Sequence, residues 1–149
     1  MGSEMCIRDS FNTPMSDPVY EGGCLCGQVR WRATAEPANV RACHCRLCQQ
    51  ATGGPFFARA IFLADVIEWS GGTTRWPTSP RIDRLSCARC GTPMFAAPKD
   101  PPLRLGVSLA TLDDPGALAP DVHIWVSRKL PWVRLDDGLP QHDEGFVAG

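Results

Sequence analysis

The chain has 149 residues, which is enough for one domain and too few for two well-formed hydrophobic cores. Its 15 basic and 16 acidic residues give a formal net charge of −1, which excludes a basic field that would hold nucleic acid or an anionic membrane by charge alone. No run approaches the roughly 20 consecutive apolar residues of a membrane span, so we expect neither nucleic acid nor a membrane as a partner.

The first residues are predicted to lie outside the folded domain. Residues 1–14 are polar and show no periodic pattern, so we expect a disordered or non-native leader there. Met15 is a plausible natural start. We accordingly predict a single domain over residues 15–142 and a short tail over residues 143–149.

Most of the domain is predicted to form short β-strands. The 14 glycines and 14 prolines favour strands and turns over long helices, and several segments alternate polar and apolar residues as half-buried strands do. Strands are expected within residues 28–33, 39–42, 55–63, 66–72, 81–87, 93–97, 103–109 and 122–126. A short helix is expected over residues 45–51, ended by Gly53, and a loop over residues 129–138. The predicted fold class is therefore mainly β with few short helices.

The cysteines are the most informative residues of the chain. Thiols that are close in sequence make strained disulfides but good metal chelates. Seven of the eight cysteines fall into three such motifs, at Cys24 and Cys26, at Cys43, Cys45 and Cys48, and at Cys87 and Cys90. No secretory signal peptide is recognisable, so metal binding is favoured over disulfides, and we expect a reducing, cytoplasmic compartment. Cys6 lies in the leader and is interpreted as a bystander.

The two flanking motifs together offer four thiolates, which is the ligand set of a closed structural zinc site. We therefore assign Cys24, Cys26, Cys87 and Cys90 to a structural zinc ion. Because the two motifs are far apart in the sequence, the ion would clamp distant parts of the domain together. The alternative is that Cys87 and Cys90 form a redox pair and that Cys24 and Cys26 are buried thiols.

The central motif offers three thiolates, from Cys43, Cys45 and Cys48. Three protein ligands and one open position are typical of a catalytic zinc, at which water or a substrate thiolate binds. Two alternatives stay open, namely a second closed site completed by His44 or a distant histidine, and a metal-free redox trio. In an extended strand, His44 would point away from its two cysteine neighbours.

A few other polar residues are weaker candidates. His123, on a predicted strand, is interpreted as a partly buried histidine, with a role in lining the site or as a general acid as the alternative. Asp136 and Asp137 are interpreted as part of a turn rather than as a carboxylate pair. Arg46 and Arg59 could face an anionic substrate, although a surface position is the default for arginine.

Four segments resemble, in this order and at these intervals, the glutathione-dependent formaldehyde-activating enzyme family, also called the GFA/CENP-V family. They are GGCLCGQVRW, CHCRLCQQATGGPF, CARCGTPM and HIWVSRKLPWVRLDDGLP. The resemblance runs from about Tyr20 to Pro140 and implies a β-tent zinc fold, in which two small antiparallel sheets and hairpins surround a structural zinc. It also implies two zinc ions per chain, one structural ion at the four flanking cysteines and one catalytic ion at Cys43, Cys45 and Cys48.

The activity that this resemblance implies is that of a carbon–sulfur lyase. The reaction is the condensation of glutathione with formaldehyde to S-(hydroxymethyl)glutathione, so glutathione or another small thiol would be the substrate, and a homodimer is a possible assembly. No residue set that would bind the carboxylates of glutathione is recognisable in the sequence. The alternative function is a non-catalytic zinc-binding interaction module or a chaperone-like module, because a fold does not fix a function.

Overall fold

The computed structural model describes residues 17–145, so the leader predicted over residues 1–14 lies outside the described residues. Within this range the chain is mainly β, as the sequence predicted, with ten strands in two sheets, one α-helix and three 3-10 helices. None of these helices has the length and apolar character that a membrane span requires.

The strands are β1 (Tyr20–Gly23), β2 (Arg30–Ala33), β3 (Asn39–Cys43), β4 (Phe57–Leu63), β5 (Ile67–Ser70), β6 (Thr73–Ser79), β7 (Ile82–Cys87), β8 (Pro93–Pro98), β9 (Arg104–Ser108) and β10 (Val122–Ile124). The helix α1 spans Arg46–Thr52, and the 3-10 helices span Ala64–Val66, Leu109–Thr111 and Val126–Arg128.

Three strands form a small antiparallel sheet in the order β1-β2-β5. Trp31 in its central strand is 1% exposed and lies opposite Trp69 of β5. The indole Nε1 of Trp31 donates to Thr111 Oγ1 over 3.0 Å, and its ring lies 6.0 Å from that of Phe62 in β4. Trp31 therefore joins the small sheet to the rest of the molecule.

The other seven strands form a large sheet in the order β10-β3-β4-β9-β8-β7-β6. Neighbouring strands in it are antiparallel, except that β10 runs parallel to β3 and places Ile124 beside Cys43. This pairing brings β10, the last strand, next to the central cysteine motif.

The two faces of the large sheet differ because side chains alternate along each strand. One face contributes Ala60, Phe62 and Val107 to the hydrophobic core, in one cluster with Trp31. The residues between them in sequence point to the opposite face, where Arg59 and others line a cavity. The core therefore lies between the sheets, and the cavity lies on the outer side of the large sheet.

The helix α1 follows β3 closely and is framed by its caps. The Cys48 N–H donates to the Sγ of Cys45, the N-cap residue, over 3.4 Å. Gly53 takes the left-handed conformation, with a φ of 72°, and its N–H donates to the Gln49 carbonyl over 2.9 Å. The predicted helix and its end at Gly53 are confirmed, with bounds shifted by one residue.

The described chain departs from the predicted elements at three places. The strand β1 was not predicted, because its sequence, YEGG, carries no apolar alternation. The strand β6 was not predicted, because it is an exposed edge strand that contains Pro77 and carries no apolar alternation. The strand predicted over residues 122–126 ends at Ile124, because Trp125 takes a left-handed conformation with a φ of 58° and leads into a 3-10 helix.

The last described residues pack against this turn. The carbonyl of Asp143 accepts from the Ser127 N–H over 3.2 Å, and that of Glu144 accepts from the Trp125 N–H over 3.2 Å. These two residues belong to the segment that the sequence assigned to a tail. The loop predicted over residues 129–138 contains neither helix nor strand.

Candidate metal centres

The four flanking cysteines meet at one point. Their Sγ atoms all lie within 4.8 Å of one another. The Cys24–Cys26 distance is 3.5 Å and the Cys26–Cys87 distance is 3.8 Å. A tetrahedral site with zinc–sulfur bonds of about 2.3 Å has sulfur–sulfur edges of about 3.8 Å. This four-thiol cluster (Cys24, Cys26, Cys87 and Cys90) therefore fits a zinc ion in both donor chemistry and spacing.

Backbone N–H groups point at the sulfurs of this cluster. The Val29 N–H donates to Cys24 Sγ over 3.2 Å, and the N–H groups of Arg89 and Cys90 each donate to Cys87 Sγ over 3.4 Å. The turn closes at Gly91, which has a φ of 80°, a left-handed conformation that favours glycine. N–H donors stabilise the thiolate form that a metal requires.

Thr92 links the two halves of the four-thiol cluster, and sequence reasoning did not identify it. The Leu25 N–H donates to Thr92 Oγ1 over 3.1 Å, and the Thr92 hydroxyl lies 3.1 Å from Cys90 Sγ. Hydrogen bonding from Thr92 lowers the pKa of Cys90 to about 5. The hydroxyl therefore ties the Cys24–Cys26 loop to the turn that carries Cys90.

The three central cysteines form a second cluster. Cys43 ends β3, Cys45 caps α1 and Cys48 lies in its first turn, which brings their Sγ atoms within 4.8 Å of one another. Sulfur–sulfur hydrogen bonds, from Cys43 first and then Cys48, lower the pKa of Cys45 to about 2, and the corresponding bonds raise that of Cys43. No fourth Cys, His, Asp or Glu of the described residues joins this three-thiol cluster.

His44 is directed away from the three-thiol cluster, as alternation along a strand predicts. Its ring is fully buried, and its Nε2 lies 2.9 Å from His123 Nδ1. The other ring nitrogen of His123 lies 2.8 Å from Asp137 Oδ2. Neither histidine is within ligand distance of the cysteine sulfurs, so a closed site completed by His44 does not fit this geometry.

The hydrogen bonds from His44 through His123 to Asp137 also show how two weaker candidates, His123 and Asp137, are placed. His123 has both ring nitrogens in hydrogen bonds and is absent from the residues that line the cavity, so it is a buried histidine as first interpreted. Asp137 closes its turn by accepting a hydrogen bond from the Leu139 N–H over 3.1 Å, and its other carboxylate oxygen is hydrogen-bonded to His123.

Arg84 contacts the three-thiol cluster directly, and nothing in the local sequence marks it. The residue is 8% exposed, and its Nη2 donates to Cys48 Sγ over 3.2 Å. Its guanidinium also lies 5.0 Å from the centroid of the Phe57 ring. It reaches the thiols from β7, which is distant in sequence, so the contact follows from the pairing of strands.

A cavity of about 940 Å³ extends from the three-thiol cluster over the outer face of the large sheet. Arg84 and six further arginines line it, namely Arg41, Arg46, Arg59, Arg81, Arg104 and Arg128. Asp100 is the one acidic residue among the described lining residues, and its Oδ2 already lies 2.6 Å from Arg81 Nη2. The open side of the cluster therefore faces a strongly positive space.

Comparisons with known proteins agree with this arrangement. A family model described as glutathione-dependent formaldehyde-activating enzyme matches residues 19–128. A protein of Halomonas elongata named as a putative glutathione-dependent formaldehyde-activating enzyme is 25% identical over 128 residues, which is 79% of this chain and 82% of that protein.

Two further proteins are similar over shorter stretches. A protein of Schizosaccharomyces pombe named as an uncharacterized lyase is 29% identical over 80 residues, which is 54% of this chain and 58% of that protein. The crystal structure of a Rhodobacter sphaeroides protein matches with a TM-score of 0.52 at 22% identity, over 63% of this chain and 88% of that one. The last similarity bears on the fold alone.

Proposed function

The chain belongs to the glutathione-dependent formaldehyde-activating enzyme family, and from this membership we propose that it is a zinc-dependent carbon–sulfur lyase that acts on adducts of thiols with small aldehydes. The observation that carries the proposal is the three-thiol cluster, with no fourth protein ligand among the described residues, at one end of a large cavity. A catalytic zinc site needs this combination of three ligands and an accessible fourth position.

We assign the cysteines two different tasks. Cys43, Cys45 and Cys48 would hold the catalytic zinc, and the four-thiol cluster would hold a structural zinc, which makes two ions per chain. A zinc ion at the three-thiol cluster would supply the positive charge that lowers the pKa of a substrate thiol and keeps it nucleophilic near neutral pH. The seven described cysteines form no disulfide, which supports a reducing compartment such as the cytoplasm.

The residues around the cluster support the chemical step. The substrate sulfur attacks the aldehyde carbon, a carbon–sulfur bond forms, and the carbonyl electron pair moves to the oxygen, which takes up the proton released by the thiol. The guanidinium of Arg84, beside Cys48, lies where it favours negative charge on sulfur or oxygen. Phe57 and Trp125 line the same cavity and form an apolar wall beside the cluster. Glutathione and formaldehyde are the reference substrates.

The test is zinc content together with hemithioacetal formation from glutathione and formaldehyde. We expect the wild type to contain two zinc ions and to accelerate the reaction. We expect Cys45→Ser to keep its fold, to contain one zinc ion and not to accelerate the reaction. Cys6→Ser is the matched control, because Cys6 belongs to none of the three cysteine motifs of the sequence, and it should keep both ions and the full rate. Full activity in a folded Cys45→Ser protein would refute the proposal. A single inert zinc ion without turnover would instead favour a non-catalytic binding module.

A further inference from the structure

We propose, on the basis of the function proposed above, that the thiol substrate carries a tail with at least two negative charges and no free ammonium group. The arginines of the cavity would bind this tail while the three-thiol cluster receives the sulfur end. Glutathione, which has two carboxylates and one ammonium group, would then be a poor match for the site.

The arginines are placed together by strand register. Arg41 of β3 and Arg59 of β4 lie directly opposite each other and line the same cavity. Like charges opposite each other in a sheet are destabilising, so this pair does not serve the stability of the sheet. Arg41 is two residues from Cys43 on the same strand, and this spacing puts the backbone of Arg41 about 7 Å from that of Cys43.

Arg59 carries an unused hydrogen-bond donor. Its Nη1 is buried and has no hydrogen-bond partner among the described residues. A buried charged donor without a partner is costly, so it points to an acceptor that a ligand would supply. The planar guanidinium binds carboxylates and phosphates through two parallel N–H bonds, which identifies the missing group as an oxyanion.

The charges that line the cavity indicate that the ligand carries several negative charges. Seven guanidinium groups face one carboxylate, that of Asp100, which accepts from Arg81 Nε over 2.8 Å and from its Nη2 over 2.6 Å. No other carboxylate of the described lining residues is present to receive an ammonium group. The positive charge is local, because the whole chain has a formal net charge of −1.

The size of the cavity also admits a ligand larger than a minimal thiol. Ligand sites commonly measure about 300–1,000 Å³, and this cavity of about 940 Å³ lies near the upper end. The arginines extend from Arg84 beside the thiols to Arg104 at the start of β9. Such an extended positive surface suits a tail with phosphate groups or with several carboxylates.

The experiment is calorimetric titration of the zinc-loaded protein with four thiols at two salt concentrations. 2-Mercaptoethanol is neutral, glutathione has a net single negative charge, mercaptosuccinate has two carboxylates and no ammonium, and coenzyme A carries phosphates. We expect mercaptosuccinate, coenzyme A or both to bind at least about tenfold more tightly than the other two, with an affinity that falls as salt rises. Tight binding of only one of them identifies the carboxylate or the phosphate as the preferred group. Equal affinity for all four thiols would overturn the proposal.

The variant Arg59→Gln tests the assigned donor. It should weaken the binding of the anionic thiols by about tenfold or more and leave the binding of 2-mercaptoethanol unchanged. Arg134→Gln, the same change at an exposed arginine outside the cavity, should alter neither affinity. The melting temperature of Arg59→Gln should not fall, because the change removes a charge with a buried, unpartnered donor that lies opposite Arg41. A lower melting temperature, together with an equal loss of affinity for all four thiols, would show that Arg59 serves the stability of the fold, and it would overturn the proposal.

The two proposals fail separately. Arg59-dependent anion binding by a zinc-loaded wild-type protein that shows no turnover would support this inference while the proposed reaction fails. Turnover of glutathione without any preference for the more anionic thiols would support the reaction and overturn this inference.

Discussion

Arg84 contacts the three-thiol cluster from β7, a strand that carries none of its three cysteines. A buried guanidinium loses its hydration, and this one gains the Cys48 sulfur at 3.2 Å and the face of Phe57 at 5.0 Å in return. A hydrogen bond to a metal ligand orients the ligand and adjusts its affinity for the metal. We therefore treat Arg84 as a positioning residue for Cys48.

We predict that Arg84→Gln lowers the affinity of the three-thiol cluster for zinc by about tenfold to a hundredfold, the range for the loss of such an outer partner. The measurement is competition with a chromophoric chelator, which reads the two ions of the chain separately by their different affinities. Arg128→Gln is the control, because it removes the same charge from the same cavity at an exposed side chain. Equal loss of zinc in both variants would mean that general charge, and not the contact with Cys48, sets the affinity.

At the scale of single residues, spacing predicted what is local in sequence. The cysteine motifs were recognised from their spacing, and the structure brings their sulfurs together as expected. Strand alternation predicted that His44 points away from the three-thiol cluster, and it contacts His123 instead. Arg84 and Thr92 could not be found in this way. Arg84 reaches Cys48 from a distant strand, and Thr92, although close to Cys90 in sequence, accepts from the distant Leu25 N–H, so both roles depend on contacts that no local pattern encodes.

At the scale of elements, the strands with an apolar pattern were predicted, and β1 and β6, which lack such a pattern, were not. Strands such as β4 and β7 have a face in the core, so their apolar residues recur in a recognisable pattern. The edge strand β6 has no buried face, and Pro77 is tolerated in it because an edge strand needs fewer donors. Its pairing with β7 is therefore decided by the neighbouring strand and not by its own composition.

The turn after β5 offers a test of how tightly the small sheet packs on the four-thiol cluster. Gly71 has a φ of 106°, and a Cβ there would lie 2.3 Å from the Gln28 carbonyl oxygen. We predict that Gly71→Ala lowers the free energy of unfolding by about 2 kcal/mol or more, because it adds backbone strain to a clash with backbone. Urea unfolding measures this effect.

The neighbouring glycine is the matched control for that prediction. A Cβ at Gly72 would find its nearest atoms at 3.8 Å and 3.9 Å, which is ordinary van der Waals contact. Gly72→Ala should therefore stay within about 0.5 kcal/mol of the wild type, as substitutions away from such constraints do. Similar losses in both variants would show that the turn tolerates no side chain at all and that the close approach at Gly71 is not the cause.

At the scale of the molecule, the distribution of charge could not be predicted from composition. A net charge of −1 suggested an ordinary surface, and Arg46 and Arg59 were the two arginines considered for an anionic partner. The structure gathers seven arginines around one cavity. Four of them lie on strands of one sheet that are distant in sequence, and the other three lie on helices and a turn beside it. The order of strands in the sheet, which contains crossovers, sets this arrangement.

The four-thiol cluster brings together cysteines from segments next to both sheets, and this gives the last prediction. Cys24 and Cys26 follow β1 of the small sheet, whereas Cys87 ends β7 of the large sheet. Structural zinc contributes on the order of 10–16 kcal/mol in small peptides, while whole domains are stable by only about 5–15 kcal/mol. We therefore predict that Cys87→Ser abolishes the cooperative thermal transition and the yield of folded protein, measured by circular dichroism and calorimetry.

Cys45→Ser separates this effect from the general loss of a thiol. It removes a ligand from the three-thiol cluster, which lies at the outer face of one sheet and joins no second sheet, so its thermal transition should stay cooperative. Removing zinc from the wild type with a strong chelator should reproduce the Cys87→Ser result, and adding zinc back should restore the transition. A normal thermal transition in Cys87→Ser would show that side-chain contacts between the sheets, such as those of Trp31 with Phe62 and of Trp69 with Phe95, keep them together, and it would remove the structural role from the four-thiol cluster.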